Sequence, residues 1–216
     1  DRQLDYWERV LTGMPLHLEW ITDFPRPAVQ SHRGRQIKFT LPKPVSDALR
    51  RISREHNTSL YQTLMAATQL FLYKYTQQKD FGIGAPVANR GRRELEDLVG
   101  FFVNTVVLRA IFDADITFDE LIERVKGSLL AATENQDVPF ERIVESLAPQ
   151  RDLSRSPLFQ VMFDLQRTPL RSASFDNLTI DLYDVDIQVA KFDMLFLLLD
   201  DGEQLQGTLE YNRELF

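Results

Sequence analysis

Val99-Gly-Phe-Phe-Val-Asn-Thr-Val-Val-Leu-Arg109 is the stretch whose reading decides the fold. From Phe101 to Phe112 both alternating faces are apolar: Phe101, Val103 and Val107 on one, Phe102, Val106 and Leu108 on the other. A strand with two apolar faces is expected in the middle of a sheet, covered on both sides. Asn104 interrupts this run with an amide, and a buried amide needs hydrogen-bond partners. It either satisfies neighbouring backbone or faces a bound group.

Helical patterns lie on both sides of this strand. Upstream, Gln3 to Leu11 has amphipathic spacing, as do Val45, Leu49 and Ile52, which leave Arg50, Arg51 and Arg54 on a polar face. Ser59 followed by Gln62, and Thr117 followed by Glu120, are capping-box pairs that start two further helices. The first of these carries Leu60, Leu64, Ala67 and Phe71 on one face; the second carries Phe118, Leu121, Ile122, Val125 and Leu129. Between the early helices lies a segment with Pro15, Pro25 and Pro27, too rich in proline for regular structure and expected to be pinned by Trp20 and Phe24. Arg35 to Leu41 alternates as a half-buried strand, and Phe81 to Ala88 is a short strand entering a polar turn at Asn89-Arg-Gly-Arg92. The later chain is mostly β: Leu158–Leu165, Leu178–Val189, Met194–Leu199 and Leu205–Tyr211, with a hairpin turn at Asp200-Asp-Gly-Glu203. Helices first and strands last predict an α/β (α+β) fold with a mixed sheet.

Composition narrows the function classes. The 216 residues are 44% hydrophobic and 26% charged, enough for one good core with roughly 70% of the unfolded surface buried. No apolar run approaches the roughly 18 residues of a membrane span, and the N-terminus lacks a signal-peptide pattern. The absence of cysteine removes disulfides and thiolate chemistry and fits a cytoplasmic location. With 25 Lys and Arg against 32 Asp and Glu, the net charge of −7 argues against nucleic acid. The opening Asp1-Arg-Gln-Leu-Asp-Tyr-Trp-Glu has the character of a segment from within a folded protein.

Catalytic signatures are missing. His17, His32 and His56 stand apart, with no metal-ligand spacing and no paired imidazoles, so neither a metal nor a catalytic histidine is expected in this chain. There is no P-loop, nucleophile elbow or dinucleotide fingerprint. Asp200 and Asp201 belong to a turn and are expected to be solvated.

Three segments carry a resemblance. Val99 to Arg109 resembles the "IGxFVNTxxLR" motif of condensation domains in nonribosomal peptide synthetases, Asn135-Gln-Asp-Val-Pro-Phe-Glu141 their "HQDxPFE", and Arg151-Asp-Leu-Ser-Arg-Ser-Pro-Leu-Phe-Gln160 their "RDxSRxPLFQ". Their order and spacing match, and Asp5 to Gly13, Asp23 to Pro27, Pro86 to Arg90 and Leu209 to Asn212 are similar to flanking positions. One departure is Asn135, where the family has His: Asn hydrogen-bonds but does not titrate.

The resemblance implies the C-terminal lobe of a chloramphenicol-acetyltransferase-like pair, a two-layer lobe with helices packed on a mixed sheet. Residues 1–34 would form an interlobe helix and linker, and 35–216 the lobe itself. The family's "HHxxxDG" motif would lie on an absent N-terminal lobe, leaving this chain inactive alone. The implied reaction joins carrier-bound acyl and aminoacyl thioesters as an amide. No cofactor would bind directly, the substrates being tethered to 4'-phosphopantetheine. Implied partners are the N-terminal lobe, peptidyl carrier proteins and an adjacent adenylation domain. Asn104, Phe102 and Arg90 would line the substrate tunnel. Asp137, Pro139, Phe140, Arg151, Asp152 and Arg155 would be structural, Asp137 near a helix N-cap and Arg90 and Arg155 clamping a carboxylate such as Asp152. Arg50 and Arg54 are candidates for docking an acidic carrier. The alternatives are a noncatalytic condensation-like domain that recruits a partner, an independent acyl-binding domain, and an epimerization-type relative. Against the last, that branch reads "FNYLG" where Phe159-Gln-Val-Met-Phe163 stands here.

Overall fold

The computed structural model describes residues 2–91, 93–95, 97–113, 115–147, 152–167, 172–175, 178–181, 185 and 187–216. Five α-helices, α1 Arg2–Leu11, α2 Lys43–Glu55, α3 Leu60–Thr76, α4 Phe118–Glu134 and α5 Phe140–Leu147, are found among them. The strands are β1 Gly34–Leu41, β2 Asp80–Val87, β3 Asn104–Ile111, β4 Val161–Arg167, β5 Ser172–Phe175, β6 Leu178–Asp181, β7 Met194–Asp200 and β8 Leu205–Asn212. Six of them form one mixed sheet in the order β1-β8-β7-β4-β2-β3, parallel at β2–β4 and β4–β7 and antiparallel elsewhere; β5 and β6 form a separate hairpin.

Helices α2, α3 and α4 pack in sequence, α3 onto β4 and α4 onto β3, while α1 packs on α5, which also meets β3. The core is continuous. Trp7, Leu11, Met14 and Leu18 from the first 34 residues share one buried cluster with Phe81, Ile83, Val106, Leu108, Ile122, Phe159 and Phe163. Both predicted capping boxes form: the Ser59 hydroxyl accepts the Gln62 amide at 3.2 Å, and the Thr117 hydroxyl accepts that of Glu120 at 3.3 Å. Each satisfies backbone donors that the first helical turn leaves unpaired.

Several expectations are corrected. The decisive strand begins at Asn104 rather than Phe101, and β3 closes one edge of the sheet rather than its centre. Its middle is nevertheless covered: Val106, Val107 and Leu108 are buried because α4 and α5 lie against it, which produces the two-faced apolar pattern without a second neighbouring strand. Phe101, by contrast, is 90% exposed. Strand β1 is mostly exposed, not half-buried. On α2 the buried positions are Ser46 and Ser53 while Val45 is exposed; on α3 Phe71 is exposed and Thr63, Met65, Gln69 and Leu72 are buried. Trp20 does pin the linker, packing edge-on against Phe216 at 5.9 Å, but Phe24 is exposed. The linker is held instead by its backbone and by Arg26: Asp23 N donates to Leu215 O at 2.8 Å, and Arg26 forks onto the fully buried carboxylate of Asp193. Leu158 lies outside β4, with φ of 65°. Part of the 178–189 strand expectation falls outside the described residues.

Candidate functional site

The three motif segments, far apart in sequence, meet in space. Asn104, at the first residue of β3, donates from Nδ2 to the carbonyls of Gln136 and Val138 at 2.7 and 2.8 Å. Its Oδ1 accepts the amides of Thr105 at 2.8 Å and Phe140 at 3.1 Å. Phe140 N is among the orphan donors at the start of α5, so Asn104 caps that helix from a distant strand. The Phe140 ring packs on Phe159 of the third segment, centroids 5.4 Å apart, and Phe159 on Phe192 at 5.3 Å. Phe159 also fills the space over Gly84 of β2, where a Cβ would collide with its ring.

The second segment is tied to α1. Asp137 accepts from Gln3 Nε2 at 3.0 Å and its own amide donates to Gln3 Oε1 at 3.1 Å, so Asp137 is a bridge to α1 and not the N-cap of α5. Asn135 ends α4: its side chain donates to Ala131 O, and its backbone carbonyl accepts the Trp7 indole N–H, both at 2.8 Å. Pro139 immediately precedes α5, where a missing amide proton costs little.

The third segment holds Asp152 and Arg155; Arg151 lies outside the described residues. Asp152 folds back on Ser154, accepting its amide at 2.8 Å and its hydroxyl at 2.7 Å, and these bonds hold its carboxyl below the usual aspartate value. Arg155 lies 3.7 Å from Glu19, so its nearest carboxylate comes from the linker rather than from Asp152.

Arg90, for its part, reaches backbone carbonyls of its own loop rather than Asp152 among the described residues. It donates to the carbonyls of Leu95, Leu98 and Gly100 and lies 4.4 Å over the Phe102 ring. Arg50 donates to Asp200 Oδ1 at 2.8 Å and to Glu203 O at 3.0 Å, with 18% of its side chain exposed, so the hairpin carboxylate is paired rather than solvated. Arg54, exposed at the end of α2, remains on the surface. Among the described residues no group of three or more His, Asp or Glu could hold a metal ion, and no helix is long and apolar enough to cross a membrane.

Two further polar joints escaped the sequence reading, one fully buried and one partly exposed. Gln160 is completely buried, its Oε1 accepting Leu18 N at 2.6 Å and its Nε2 donating to Leu16 O and Ser156 O. Arg109 forks onto Asp80 at 2.7 and 2.8 Å and reaches the carbonyls of Val10 and Thr12 at the end of α1. Only the motif positions themselves signalled either residue.

The mixed sheet with helices α2–α4 is similar to part of known peptide-synthetase structures. It superposes with TM-score 0.94 and 28% identity on a holo four-domain nonribosomal peptide synthetase bound to AMP and glycine, covering all of this chain and 18% of that one. The X-domain from teicoplanin biosynthesis matches with TM-score 0.88 and 27% identity over all of this chain and 50% of its own. In sequence, a linear gramicidin synthase of Brevibacillus parabrevis is 41% identical over the whole chain, and gramicidin S synthase 2 of Brevibacillus brevis 38%. The chain spans only 3% and 5% of the lengths of those two proteins. The condensation domain family model matches residues 1–216, and the chain belongs to that family.

Proposed function

We propose that this chain is the C-terminal lobe of a condensation domain, with residues 1–34 as the interlobe helix and linker and 35–216 as the lobe. It pairs with an N-terminal lobe carrying the catalytic "HHxxxDG" histidine and is inactive alone. In the joined domain the amine of an aminoacyl thioester attacks the carbonyl of a donor thioester. A C–N bond forms, the C–S bond breaks, and the donor thiol leaves with a proton. Both reactants arrive tethered to 4'-phosphopantetheine on peptidyl carrier proteins, and the aminoacyl group comes from an adjacent adenylation domain. Alignment of two tethered reactants is worth roughly 7–11 kcal/mol at its best.

The observation that carries this reading is the convergence of the three motif segments through Asn104, Phe140 and Phe159. Asn104 uses all four of its hydrogen-bonding positions within the chain, so its part in the tunnel wall is to hold α5 and the 136–140 turn rather than to bind substrate itself. Phe102 and Arg90 complete that wall. Of the two α2 candidates, Arg50 is paired with Asp200 and Arg54 is exposed, so Arg54 is the one placed for carrier docking.

A noncatalytic recruiting domain is the second reading, favoured by the X-domain of teicoplanin biosynthesis, whose structure is known in complex with OxyB. Both loaded carriers, supplied to a domain containing this chain and the preceding lobe, distinguish the two. Amide product on the acceptor carrier, read by intact mass, supports the enzyme; no product with both carriers bound supports the recruiter.

A further inference from the structure

A cavity of about 400 Å³ opens between α3, α4 and the last residues of β3. Ala110 of β3 and Leu121 and Val125 of α4, all buried, form its apolar wall, and the exposed Gly127 marks its opening. Ligand cavities span roughly 300–1,000 Å³, so this one suits a small molecule. It lies at the far end of β3 from Asn104, away from the joint of the three motif segments.

Gln69 of α3, which also lines the cavity, is the anomaly. It is 2% exposed, yet its amide makes no hydrogen bond with any described residue. The little surface it keeps faces the cavity. A buried amide without partners is costly, and nearly all in folded proteins are paired. Ser128, partly buried on α4, also lines the cavity and makes no hydrogen bond among the described residues.

The charges around the opening, by contrast, are matched. Arg109 forks onto Asp80, Arg124 meets Asp113 at 2.6 Å, and Glu123 lies 3.5 Å from Lys126. An ion entering here would lose hydration and find no unpaired counter-charge. A neutral carboxamide meets the site's demands: its C=O and N–H groups complement those of the Gln69 amide, and a hydrocarbon body covers Ala110, Leu121 and Val125.

We propose that this cavity binds a small neutral carboxamide with an aliphatic body, held by a reciprocal pair of hydrogen bonds to Gln69. The site stands apart from the condensation reaction, since none of its lining residues belongs to the tunnel wall described above.

Cyclohexanecarboxamide, titrated into the isotope-labelled chain and followed by NMR, tests the site. The side-chain amide of Gln69 and the backbone amide of Ser128 should shift together and saturate. Cyclohexanecarboxylate, of the same shape but charged, should bind about tenfold more weakly. Gln69→Leu should weaken carboxamide binding about tenfold, read at Ser128, without lowering the thermal midpoint, because it strands no partner. Gly127→Leu should abolish binding and raise the midpoint. A helical side chain leans over the preceding turn, here toward Glu123 and Arg124 at the opening, and a Cβ at Gly127 meets no atom within 4 Å. The absence of any saturable shift at Gln69, as for a cavity holding only water, overturns the site. Equal binding of acid and amide, or binding untouched by Gln69→Leu, overturns the ligand class.

Discussion

The side-chain carbonyl of Asn104 accepts the backbone amide of Phe140 at 3.1 Å, so a strand residue caps a helix 36 positions later in the chain. Replacing Asn104 by Ala would strand the carbonyls of Gln136 and Val138 and the Phe140 amide. Each unsatisfied buried group costs about 1–3 kcal/mol. Asn104→Ala should therefore lower the stability of the chain by about 3 kcal/mol in urea unfolding, and Asn104→Asp by at least as much, since a carboxylate would face two carbonyls. A loss below about 0.5 kcal/mol would mean that water replaces these bonds at no cost.

The Phe159 ring occupies the space in front of Gly84. Gly84→Ala forces that ring, and with it Phe140 and Phe192, to shift. Overpacking of this kind costs about 1–3 kcal/mol. The expected result is a lower urea midpoint with an unchanged m-value, the signature of lost stability without altered compactness.

Arg50 joins α2 to the β7–β8 hairpin through Asp200. A double-mutant cycle of Arg50→Ala and Asp200→Ala should give a coupling of about 1 kcal/mol, in the upper range for partly exposed pairs. Arg54→Glu should leave stability unchanged and slow carrier encounter at low salt. Equal stability effects at the two arginines would contradict the different surroundings the structure gives them.

Glu120 is held below its ordinary value of 4.5 by the amide and hydroxyl of Thr117. A carboxyl with a depressed folded value stabilises the protein above its unfolded pKa, and that contribution disappears as pH falls through the folded one. Glu120→Gln keeps the capping box without the charge, so the fall in melting temperature below pH 4.5 should be shallower than in the parent. A steeper fall would reverse the sign of this account.

The capping residues Ser59 and Thr117 were legible in the sequence because a capping box is local: its partners lie three residues apart. The α2 stripe misled because Ser46 and Ser53 are buried, with their hydroxyls satisfied by Leu41 O and Leu49 O and by Thr63. Polarity alone does not reveal a buried hydroxyl with partners. The edge position of β3 was hidden for a related reason, since helices α4 and α5 cover Val106 to Leu108 and give an edge strand the apolar faces expected of a central one. The motif positions were legible from resemblance, but their joints were not. That Asn104 reaches Gln136, Val138 and Phe140, that Asp137 reaches Gln3, and that Arg90 gathers the carbonyls before Phe102 are contacts of the folded chain. Asp193 was invisible for want of its partner: only the folded linker brings Arg26 to it.

Amide formation by the 216-residue chain alone, with donor and acceptor thioesters both loaded on their carriers, tests the central claim most directly. A centre shared between two lobes predicts product at the uncatalysed rate, rising only when the N-terminal lobe is joined to it. Turnover well above background from this chain by itself would place a complete reaction centre inside it and contradict the account.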